Sequence, residues 1–586
     1  MMKMRILHLA IGAALCARLG FANPYPEVGL HPGYRIMSLR PAGFEPSVTG
    51  LDFLPNGDML VLTWRGSSGP STKDPVTGMD KTGTRTGTPR LYRVTNTKGA
   101  DTSAIRFTEA ATGFKDAQGL CVVNGDVYVG DIDRIVKLVD KDGDGKYEDK
   151  VEIGKIPSYD GWFEYSFGPV YKDGKLYMAL AGNVQMSGWP TKQFGKDRSS
   201  VISIPIGGGT YSVVAEGLRA PDGIAIGPDG EIFATDNQGG WRPASPFLHI
   251  KQGRFYGYFT DPVGPIQTAA NSKVTPPAIW APYRDANDSP TEPALMLTGP
   301  YKGQFIYGDV GRGGIYRAFL EKVGGEYQGS VITFSGGLEC GIHRIRTGAN
   351  GEIYVGGIGN GGDSNQGWNG KTFGLQKLVP TGVPVFEILA TRSRAKGMEL
   401  EFTLPVGAAA ENTAHFTVKQ WKNTPEEAYG AGKGTNETLP VKSIRLSPDR
   451  KSVFLEIDGL KTGDVVGIQV DSVKSQDNKP LWYAKTWYTL NNISTSQAFE
   501  APVEIKLPAV SASGLLRVER LADRLRVRLP DAAEYKVELL DFQGRSVGGD
   551  VSNTGSAEIR TRSIQPGLHI LRAQGAGRTL TLPVVL

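Results

Sequence analysis

One pattern of apolar and polar positions recurs six times in the first two thirds of the chain. A short apolar run leads into a turn that contains glycine, and a run of alternating apolar and polar residues follows. Alternation with a period of two is typical of a half-buried strand, and Asn-Gly or Asp-Gly supplies the positive φ angles of a tight hairpin turn. Each repeat is therefore predicted to contain a β-hairpin. The turn glycines are Gly57, Gly125, Gly174, Gly230, Gly303 and Gly351.

The spacing of these glycines, about 59 residues on average, predicts the architecture. A four-stranded propeller blade needs about 40–50 residues, so the remaining residues of each repeat are expected in loops on the propeller faces. No segment between the repeats has sustained helical periodicity, which argues against an α/β barrel. We predict an all-β chain that begins with a six-bladed β-propeller over residues 33–380.

The pattern changes after residue 380. Alternating runs at residues 398–404, 452–457 and 464–470 predict a β-sandwich over residues 384–492. Residues 493–513 contain Pro502 and Pro508 among small polar residues, which is typical of a linker. Residues 514–586 alternate again but hold ten arginines and one lysine, so we predict a separate, small C-terminal β-sandwich.

The first 22 residues have the features of a signal peptide. Lys3 and Arg5 precede an apolar run from Ile6 to Cys16, and a small-x-small sequence ends at Ala22. This predicts export through the periplasm to the cell surface or the medium. No later run reaches the roughly 20 apolar residues of a spanning helix, so no membrane span is expected after cleavage.

Composition narrows the classes of partner. Lys and Arg number 65 against 60 Asp and Glu, and the chain has no basic run, so nucleic acid is not an expected partner. After loss of the signal peptide, only Cys121 and Cys340 remain. Two buried free thiols are the favoured interpretation, and a single disulfide is the alternative.

A series of motifs between residues 217 and 257 resembles the secreted sugar dehydrogenases that use pyrroloquinoline quinone, the glucose and sorbosone dehydrogenase superfamily. The resemblance covers residues 33–380. It implies oxidation of a sugar hydroxyl, with a histidine as proton acceptor, the quinone as hydride acceptor and a calcium ion beside it. The motifs are Gly217-Leu-Arg219-Ala-Pro221-Asp-Gly223, Gly227-Pro-Asp-Gly230-Glu-Ile, Asp236-Asn and Gly253-Arg-Phe255-Tyr-Gly257.

The chain departs from this family at the position of the proton acceptor. Alignment places the catalytic histidine of the family at Phe163, and phenylalanine cannot accept a proton. Ala220 also replaces the asparagine that usually follows the arginine. The candidate replacement bases are Glu164, His249 and His343, with a structural role as the alternative for each histidine.

The resemblance also implies cationic side chains that hold the carboxylates of the cofactor. Arg219 matches the family motif, whereas Arg312 and Arg344 lie near the expected positions in the fifth and sixth repeats. Salt bridges between blades are the alternative for the last two. Aromatic side chains beside predicted loop positions could stack on sugar rings or pack between blades, and these candidates are Trp162, Tyr165, Trp189 and Trp241.

An acidic segment in the second repeat resembles the first half of a calcium-binding loop. Asp140, Asp142 and Asp144 occupy its first, third and fifth positions, and Gly145 occupies the sixth. The twelfth position is not acidic, so Glu148 is the candidate fourth ligand. The segment predicts a structural Ca²⁺ site, with a solvated Asp-Gly turn as the alternative.

The two remaining regions resemble other secreted modules. Residues 384–492 resemble an immunoglobulin-like sandwich, on the segments 402–406 and 487–491. Residues 514–586 resemble the C-terminal sorting domains of type IX secretion, on Asp541-Phe-Gln-Gly544-Arg545 and Gly567-Leu-His-Ile. This second resemblance implies that secretion machinery is a partner.

Three functions are compatible with the sequence. The first is a secreted quinoprotein-like oxidoreductase that acts on sugar or polysaccharide-derived alcohol groups. The second is a non-catalytic propeller that binds carbohydrate at the cell surface, and the third is a scaffold for protein contacts. Clustering of Arg219, Glu164, Arg344 and the tryptophans in one central pocket would favour the first two.

Overall fold

The computed structural model describes residues 28–64, 72–73, 80–81, 88–99, 101–158, 165–182, 197–258, 274–359, 361, 367–368, 370–501, 517–521, 523–529, 534–541, 545–562, 564, 568–575 and 578–585. Several sequence predictions lie outside the described residues. These are the signal peptide, most of the linker, and Trp162, Phe163, Glu164 and Trp189.

Strands dominate the described part of the chain. Apolar residues that alternate with polar ones lie on one face of a strand, whereas in a helix they would not share one face. The helical segments described are short 3₁₀ turns, at Thr102–Ala104, Pro228–Gly230, Ala408–Glu411 and Thr413–His415. Within the described ranges, no helix has the length and hydropathy needed to cross a bilayer.

Each of the first five blades has four antiparallel strands that follow one another in chain order, and the four strands of blade 5 belong to a larger sheet. The strands are given from the inner to the outer edge. Blade 1 contains Val48–Phe53, Met59–Thr63, Leu91–Thr95 and Arg106–Ala111, and blade 2 contains Gly119–Val123, Asp126–Gly130, Arg134–Val139 and Asp149–Lys155. Blade 3 contains Ser166–Lys172, Lys175–Leu180, Ser200–Pro205 and Ser212–Glu216; blade 4 contains Pro221–Ile226, Ile232–Asp236, Ser245–Ile250 and Ile279–Ala281; and blade 5 contains Pro290–Leu295, Phe305–Asp309, Ile315–Val323 and Glu326–Ser335. A two-residue pair, Thr72–Lys73 with Asp80–Lys81, lies between the second and third strands of blade 1.

Blade 6 closes the ring with strands from both ends of the propeller. Gly341–Thr347, Ile353–Ile358 and Phe373–Pro380 form its inner three strands, and the N-terminal strand Tyr34–Ser38 pairs with the third. Each inner strand contacts the inner strand of the next blade, and the inner strand of blade 6 contacts that of blade 1. The predicted six-bladed propeller is therefore confirmed as a closed ring of six sheets.

The six turn glycines occupy equivalent positions. Each lies between the first and second strands of its blade, and each has a positive φ, from +68° at Gly230 to +93° at Gly125. A left-handed backbone conformation at this turn favours glycine over residues with a Cβ. The repeat read from the sequence is thus the first hairpin of each blade.

The region after the propeller is a two-layer sandwich that shares a sheet with blade 5. One layer contains Ile388–Arg394, Gly397–Phe402, Ser452–Ile457 and Val441–Leu446. The other contains Glu437–Leu439, Phe416–Lys422, Asp464–Val470 and Lys485–Leu490. The last of these strands pairs with the outer strand of blade 5, with Ser330 opposite Tyr488 and Val331 opposite Trp487, so eight strands form one sheet.

This shared sheet gives the propeller and the sandwich a continuous apolar core. Phe233 and Phe305 of the propeller belong to the same buried cluster as Trp421, Val465 and Tyr488 of the sandwich. A continuous sheet and core hold one unit against the other far more firmly than a flexible linker would. The sandwich is therefore a fixed wall beside blades 4 and 5.

The C-terminal region forms two further sheets around its own core, in which Leu525, Tyr535 and Leu571 are fully buried. One sheet contains Arg517–Arg520, Arg524–Arg528 and Ser556–Arg560. The other contains Ser546–Ser552, Tyr535–Leu540, Leu568–Gly575 and Arg578–Val585. The all-β class with three successive β units is confirmed. The exact domain boundaries, the immunoglobulin-like assignment and the sorting role stay predictions.

Candidate functional site

A cavity of about 260 Å³ lies on the propeller axis, at the face where inner strands begin and second strands end. All six blades contribute to it, and one residue of the sandwich, Tyr429, completes its wall. Its lining includes Trp64, Tyr165, Phe167, Arg219, Asp222, Asn237, His343, Trp368 and Tyr429. The cavity therefore brings together Arg219, His343 and Tyr165 of the sequence-predicted candidates.

An aspartate at the end of a second strand positions the pocket segment of blade 4. The Asp236 carboxylate accepts hydrogen bonds from the backbone N–H groups of Arg219 at 2.8 Å and Ala220 at 2.6 Å. Asp131 in blade 2 and Asp309 in blade 5 accept equivalent bonds from the segments before their own inner strands. The acidic strand end in the sequence motif thus fixes the backbone at the rim of the cavity.

Arg219 is the polar group with the most unused hydrogen-bonding capacity among the described residues of the cavity. Its Nη1 donates to the carbonyl of Gln238 at 2.8 Å, and its guanidinium lies 5.6 Å from the Tyr429 ring. Nε and Nη2 have no partner within the described structure although the residue is only 2% exposed. A Cβ at position 239 would lie 2.1 Å from Arg219 Cζ, so Gly239 leaves the room that this buried side chain needs.

His343 and Asp222 meet across the cavity from blades 6 and 4. His343 Nε2 lies 2.9 Å from Asp222 Oδ1, and Nδ1 lies 2.8 Å from the carbonyl oxygen of Val48. Because a carbonyl only accepts, Nδ1 must carry a proton and donate to Val48. The contact between Nε2 and the carboxylate then holds the other side of the imidazole, so Val48 and Asp222 together fix the ring at the cavity wall.

Arg344 lies beneath this pair and holds the ring together. Its Nε donates to the carbonyl of Thr49 at 2.7 Å, Nη2 donates to Gln118 at 2.6 Å, and Nη1 donates to His343 at 2.7 Å. Nη1 also lies 3.3 Å from Asp222 Oδ1, and the side chain is 2% exposed. The predicted cofactor contact at Arg344 is not what the structure shows, because its donors are directed at backbone and side-chain oxygens of blades 1, 2, 4 and 6.

Arg312 also has its partners within the protein. Its Nε donates to Asp288 at 2.5 Å, and its backbone N–H donates to Asp309 at 2.9 Å. It does not line the cavity. The salt-bridge alternative therefore describes Arg312 better than a cofactor contact.

Aromatic side chains form much of the cavity wall. Tyr165 and Phe167 lie on the blade 3 side, and the rings of Trp64 and Trp368 approach each other at 6.1 Å. Trp64 Nε1 has no hydrogen-bond partner among the described residues. Flat apolar faces with one free N–H suit a ring-shaped ligand that carries oxygen acceptors.

Trp241 does not belong to this wall. Its backbone N–H donates to the carbonyl of Glu426 at 2.6 Å, which ties the blade 4 loop to the sandwich. It is not among the described lining residues of the central cavity, and its predicted sugar-stacking role stays a prediction. Trp162 and Trp189 lie outside the described residues, and their roles stay predictions.

His249 lies at the opposite end of blade 4, near the hairpin turn. It stacks on Phe233 with 5.0 Å between ring centroids and pairs in register with that residue. Burial, with the Lys251 charge nearby, lowers its pKa from 6.5 to about 4. The histidine is neutral at neutral pH and remote from His343, which supports the structural alternative for His249.

This pKa has a consequence for stability. Because the folded pKa is below the unfolded one, the unfolded chain binds the proton more readily, and stability falls as the pH drops from 6.5 to about 4. The variant His249→Phe keeps the ring stacking on Phe233 but has no group to protonate. Between pH 7 and pH 4, we expect its free energy of unfolding to fall by about 3 kcal/mol less than that of the native protein. Urea denaturation at both pH values measures the difference. Equal losses in the two proteins would contradict it.

The acidic segment of blade 2 has the predicted arrangement. Oxygen atoms of Asp140, Asp142, Asp144 and Glu148 lie within 4.8 Å of one another in the loop between the third and fourth strands. Backbone N–H groups of Gly143 and Gly145 donate to Asp140, which folds the loop around the carboxylates. Four carboxylates at this distance repel one another, so the donor set fits a hard divalent cation such as Ca²⁺.

We expect calcium to stabilise the protein through this loop. At a Ca²⁺ concentration about 100 times the Kd, binding to the folded state raises the free energy of unfolding by about 2.7 kcal/mol. Asp142→Asn should abolish the rise in melting temperature that Ca²⁺ causes, measured by calorimetry with and without a chelator. Asp126→Asn is the matched control, because Asp126 lies in the same blade but pairs with Lys137 at 2.7 Å. The same rise in both variants would exclude this loop as the site.

Both cysteines in the described chain are free and buried, as the favoured interpretation predicted. Burial raises the pKa of the Cys340 thiol to about 12 and the pKa of Cys121 also well above its usual value. Protonated, buried thiols are poor nucleophiles and poor metal ligands. They contribute packing to the blades and no chemistry to the site.

No family model matches the chain, and no curated protein is similar to it at a significant level. Solved structures with a similar chain trace include an oxidoreductase described as a glucose dehydrogenase from Thermus thermophilus, with 17% identity over 59% of this chain and 100% of that chain and a TM-score of 0.41. Another is the PQQ-bound aldose sugar dehydrogenase of Streptomyces coelicolor, with 17% identity, 59% and 99% coverage and a TM-score of 0.38. A third is the PQQ domain of the Coprinopsis cinerea pyranose dehydrogenase, with 11% identity, 60% and 97% coverage and a TM-score of 0.42. At these TM-scores, nothing about the chemistry of the site follows from the likenesses.

The cavity matches pyrroloquinoline quinone only in part. The aromatic wall suits a flat ring, and Arg219 can hold one carboxylate. The quinone carries several carboxylates, however, and Arg219 is the one cation with free donors among the described lining residues. The described residues therefore fit a ring with one carboxylate and do not match the charge of the quinone, whose binding stays a prediction.

Proposed function

We propose that the central cavity binds a sugar ring that bears a carboxylate. The observation that carries this proposal is the pair of unpartnered donors on Arg219, Nε and Nη2. These two groups share one edge of the guanidinium, which is an edge that forms two parallel hydrogen bonds with a carboxylate. Two buried donors of a charged group without partners are costly, and a bound carboxylate removes that cost.

The surroundings of Arg219 favour a carbohydrate over other acids. Tyr165, Phe167 and Trp368 supply flat surfaces for a sugar ring. Asp222 accepts hydrogen bonds, and the unpartnered Oδ1 of Asn237 and Nε1 of Trp64 add one acceptor and one donor. Hydroxyl groups need both kinds of partner. The mixture of aromatic faces, acceptors and donors supports a ligand with several hydroxyls.

Titration of the full chain with D-galacturonate, followed by calorimetry, tests this proposal. D-galactose is the matched neutral control, since it differs only in carrying a hydroxymethyl group in place of the carboxylate. We expect the neutral sugar to bind at least about tenfold more weakly, the effect of losing one charge-assisted contact. Equal affinity for both sugars, or no binding of either, would overturn the proposal.

Oxidation of a sugar hydroxyl is the second candidate function, and the Asp222–His343 pair favours it. One carboxylate oxygen of Asp222 is bound to His343 and Arg344, and the other is free to receive a proton from a ligand hydroxyl. His343 would then stabilise the result through the shared hydrogen bond. Binding is the better supported function, because oxidation also needs a hydride acceptor that the described cavity does not match.

Dye-linked oxidation assays with added pyrroloquinoline quinone and Ca²⁺ test this second candidate. Asp222→Asn is nearly isosteric and should lower turnover about 10²–10⁴-fold if Asp222 is the general base. Sugar affinity should change far less, which separates proton transfer from binding. An inactive native protein would remove oxidation and leave binding intact.

A further inference from the structure

A second cavity, also about 260 Å³, lies where the sandwich meets blade 4. Its propeller side is formed by Pro243, Ala244 and the segment 282–284. Its sandwich side includes Trp421, Asn423, Tyr429 and Lys433. Tyr429 also lines the central cavity, so one tyrosine side chain is a wall of both.

The sandwich loop that forms this second cavity is held rigidly on the propeller. The Gly430 N–H donates to the carbonyl of Gly239 at 3.0 Å, and Lys433 pairs with Asp285 at 2.6 Å. Gly430 has a φ of +62°, and a Cβ there would lie 2.6 Å from the Tyr283 ring. The loop cannot approach Tyr283 this closely with any other residue, so the cavity is a built feature of the junction.

The second cavity contains polar groups without partners among the described residues. Trp421 is 4% exposed, yet its Nε1 has no hydrogen-bond partner, and the same holds for Nδ2 of Asn423. Both groups are donors. Buried donors in native proteins are nearly always bonded to protein or to a bound molecule. Both residues line the cavity, so an acceptor group that enters it can be the partner of these two donors.

One cation at the rim of this cavity, Arg284, is not balanced by a carboxylate of the described residues, whereas Lys433 is paired with Asp285. The guanidinium of Arg284 lies 5.1 Å above the Tyr283 ring and is in no ion pair recorded among the described residues. Lys433 lies 4.4 Å above the Trp421 ring. Donors, cations and aromatic rings in one cavity match a sugar unit with oxygen acceptors and a negative charge.

We infer that the second cavity is a subsite for the next sugar unit of an acidic oligosaccharide, with Tyr429 between the two units. This inference rests on the proposed function of the central cavity and names its ligand class as an acidic glycan chain. Arg219 would hold the carboxylate of one unit, and Arg284, with the N–H groups of Trp421 and Asn423, would hold the unit beyond Tyr429. The sandwich is then part of the binding site.

Calorimetric titration of the full chain with D-galacturonate and its α-1,4-linked trimer tests this inference. The native protein should bind the trimer at least about tenfold more tightly than the monomer, since the second unit adds charge-assisted hydrogen bonds. Trp421→Phe, which removes the N–H, and Arg284→Gln should each reduce this advantage about fivefold and leave the monomer Kd unchanged. Arg445→Gln is the matched control, because Arg445 lies 4.7 Å above the Phe454 ring, outside both cavities.

The outcomes separate this inference from the proposed function. If the monomer binds but the trimer binds no more tightly, the second subsite is wrong and the proposed function stands. If the variants weaken monomer and trimer equally, the subsite is also wrong. If only the trimer binds and Trp421→Phe weakens it, the second cavity binds the acidic glycan but the monomer site at Arg219, and with it the proposed function, is wrong. If neither sugar binds, both are wrong.

Discussion

Replacing Arg344 by methionine is expected to lower the free energy of unfolding by about 3–5 kcal/mol, the usual effect of breaking a buried charged network. The substitution keeps most of the side-chain volume but removes every donor. The carbonyls of Thr49, Gln118 and His343 would lose a buried partner, and the carboxylate of Asp222 would lose its contact with the Arg344 guanidinium. Urea denaturation at pH 7 measures the loss, which should appear as a lower midpoint with an unchanged slope.

Arg134→Met is the control for this prediction. Arg134 is half-buried, and its two ion pairs are long, at 3.7 Å to Asp133 and 3.9 Å to Glu152. Surface pairs of this kind contribute little, so the control should change stability by less than about 1 kcal/mol. A similar decrease in the free energy of unfolding in both variants would show that the hydrogen bonds of Arg344 between blades do not stabilise the propeller.

Replacing Arg219 by glutamine is expected to weaken binding of D-galacturonate about 100-fold, which corresponds to about 3 kcal/mol. The amide keeps hydrogen-bonding groups but removes the positive charge and the paired donors at Nε and Nη2. Stability should change little, because two of the lost donors have no partner in the described structure. Calorimetric titration and thermal unfolding together measure both effects.

Two variants sharpen the prediction for Arg219. Arg219→Lys keeps the charge but not the two-pronged geometry, so it should give an intermediate loss of about tenfold. Arg312→Gln should leave the affinity unchanged, since Arg312 pairs with Asp288 and does not line the cavity. Equal loss of affinity in Arg219→Gln and Arg312→Gln would mean that the carboxylate is held elsewhere.

The local features of this protein could be predicted from its sequence because neighbouring residues determine them. The turn at Gly125 or Gly230 needs a positive φ and a short alternating strand on either side, and all of that information lies within about ten residues. The Asp140 loop is similar, since its candidate ligands lie within one short segment. Arg219 could be identified because its motif includes the backbone segment that Asp236 caps.

The chemistry of the cavity, in contrast, depends on residues that are far apart in the chain. Asp222 lies within the same motif as Arg219, but its role appears only with His343, 121 positions away. Tyr429 comes from the sandwich, and no repeat or spacing links it to the propeller pocket. The positive charge of Arg344 indicated a ligand contact, whereas the closed ring places backbone carbonyls around it.

By itself, the sequence therefore determined the strands, the hairpin turns, the number of blades and the acidic loop, since alternation and turn chemistry act over short distances. Only the tertiary structure decided which side chains meet on the axis and which charges are already satisfied. Closure of the ring brings blades 1, 2, 4 and 6 to Arg344, and the shared sheet brings the sandwich to Arg219. The physical reason is that a side chain's free donors depend on every neighbour that packing supplies, and most of those neighbours are remote in sequence.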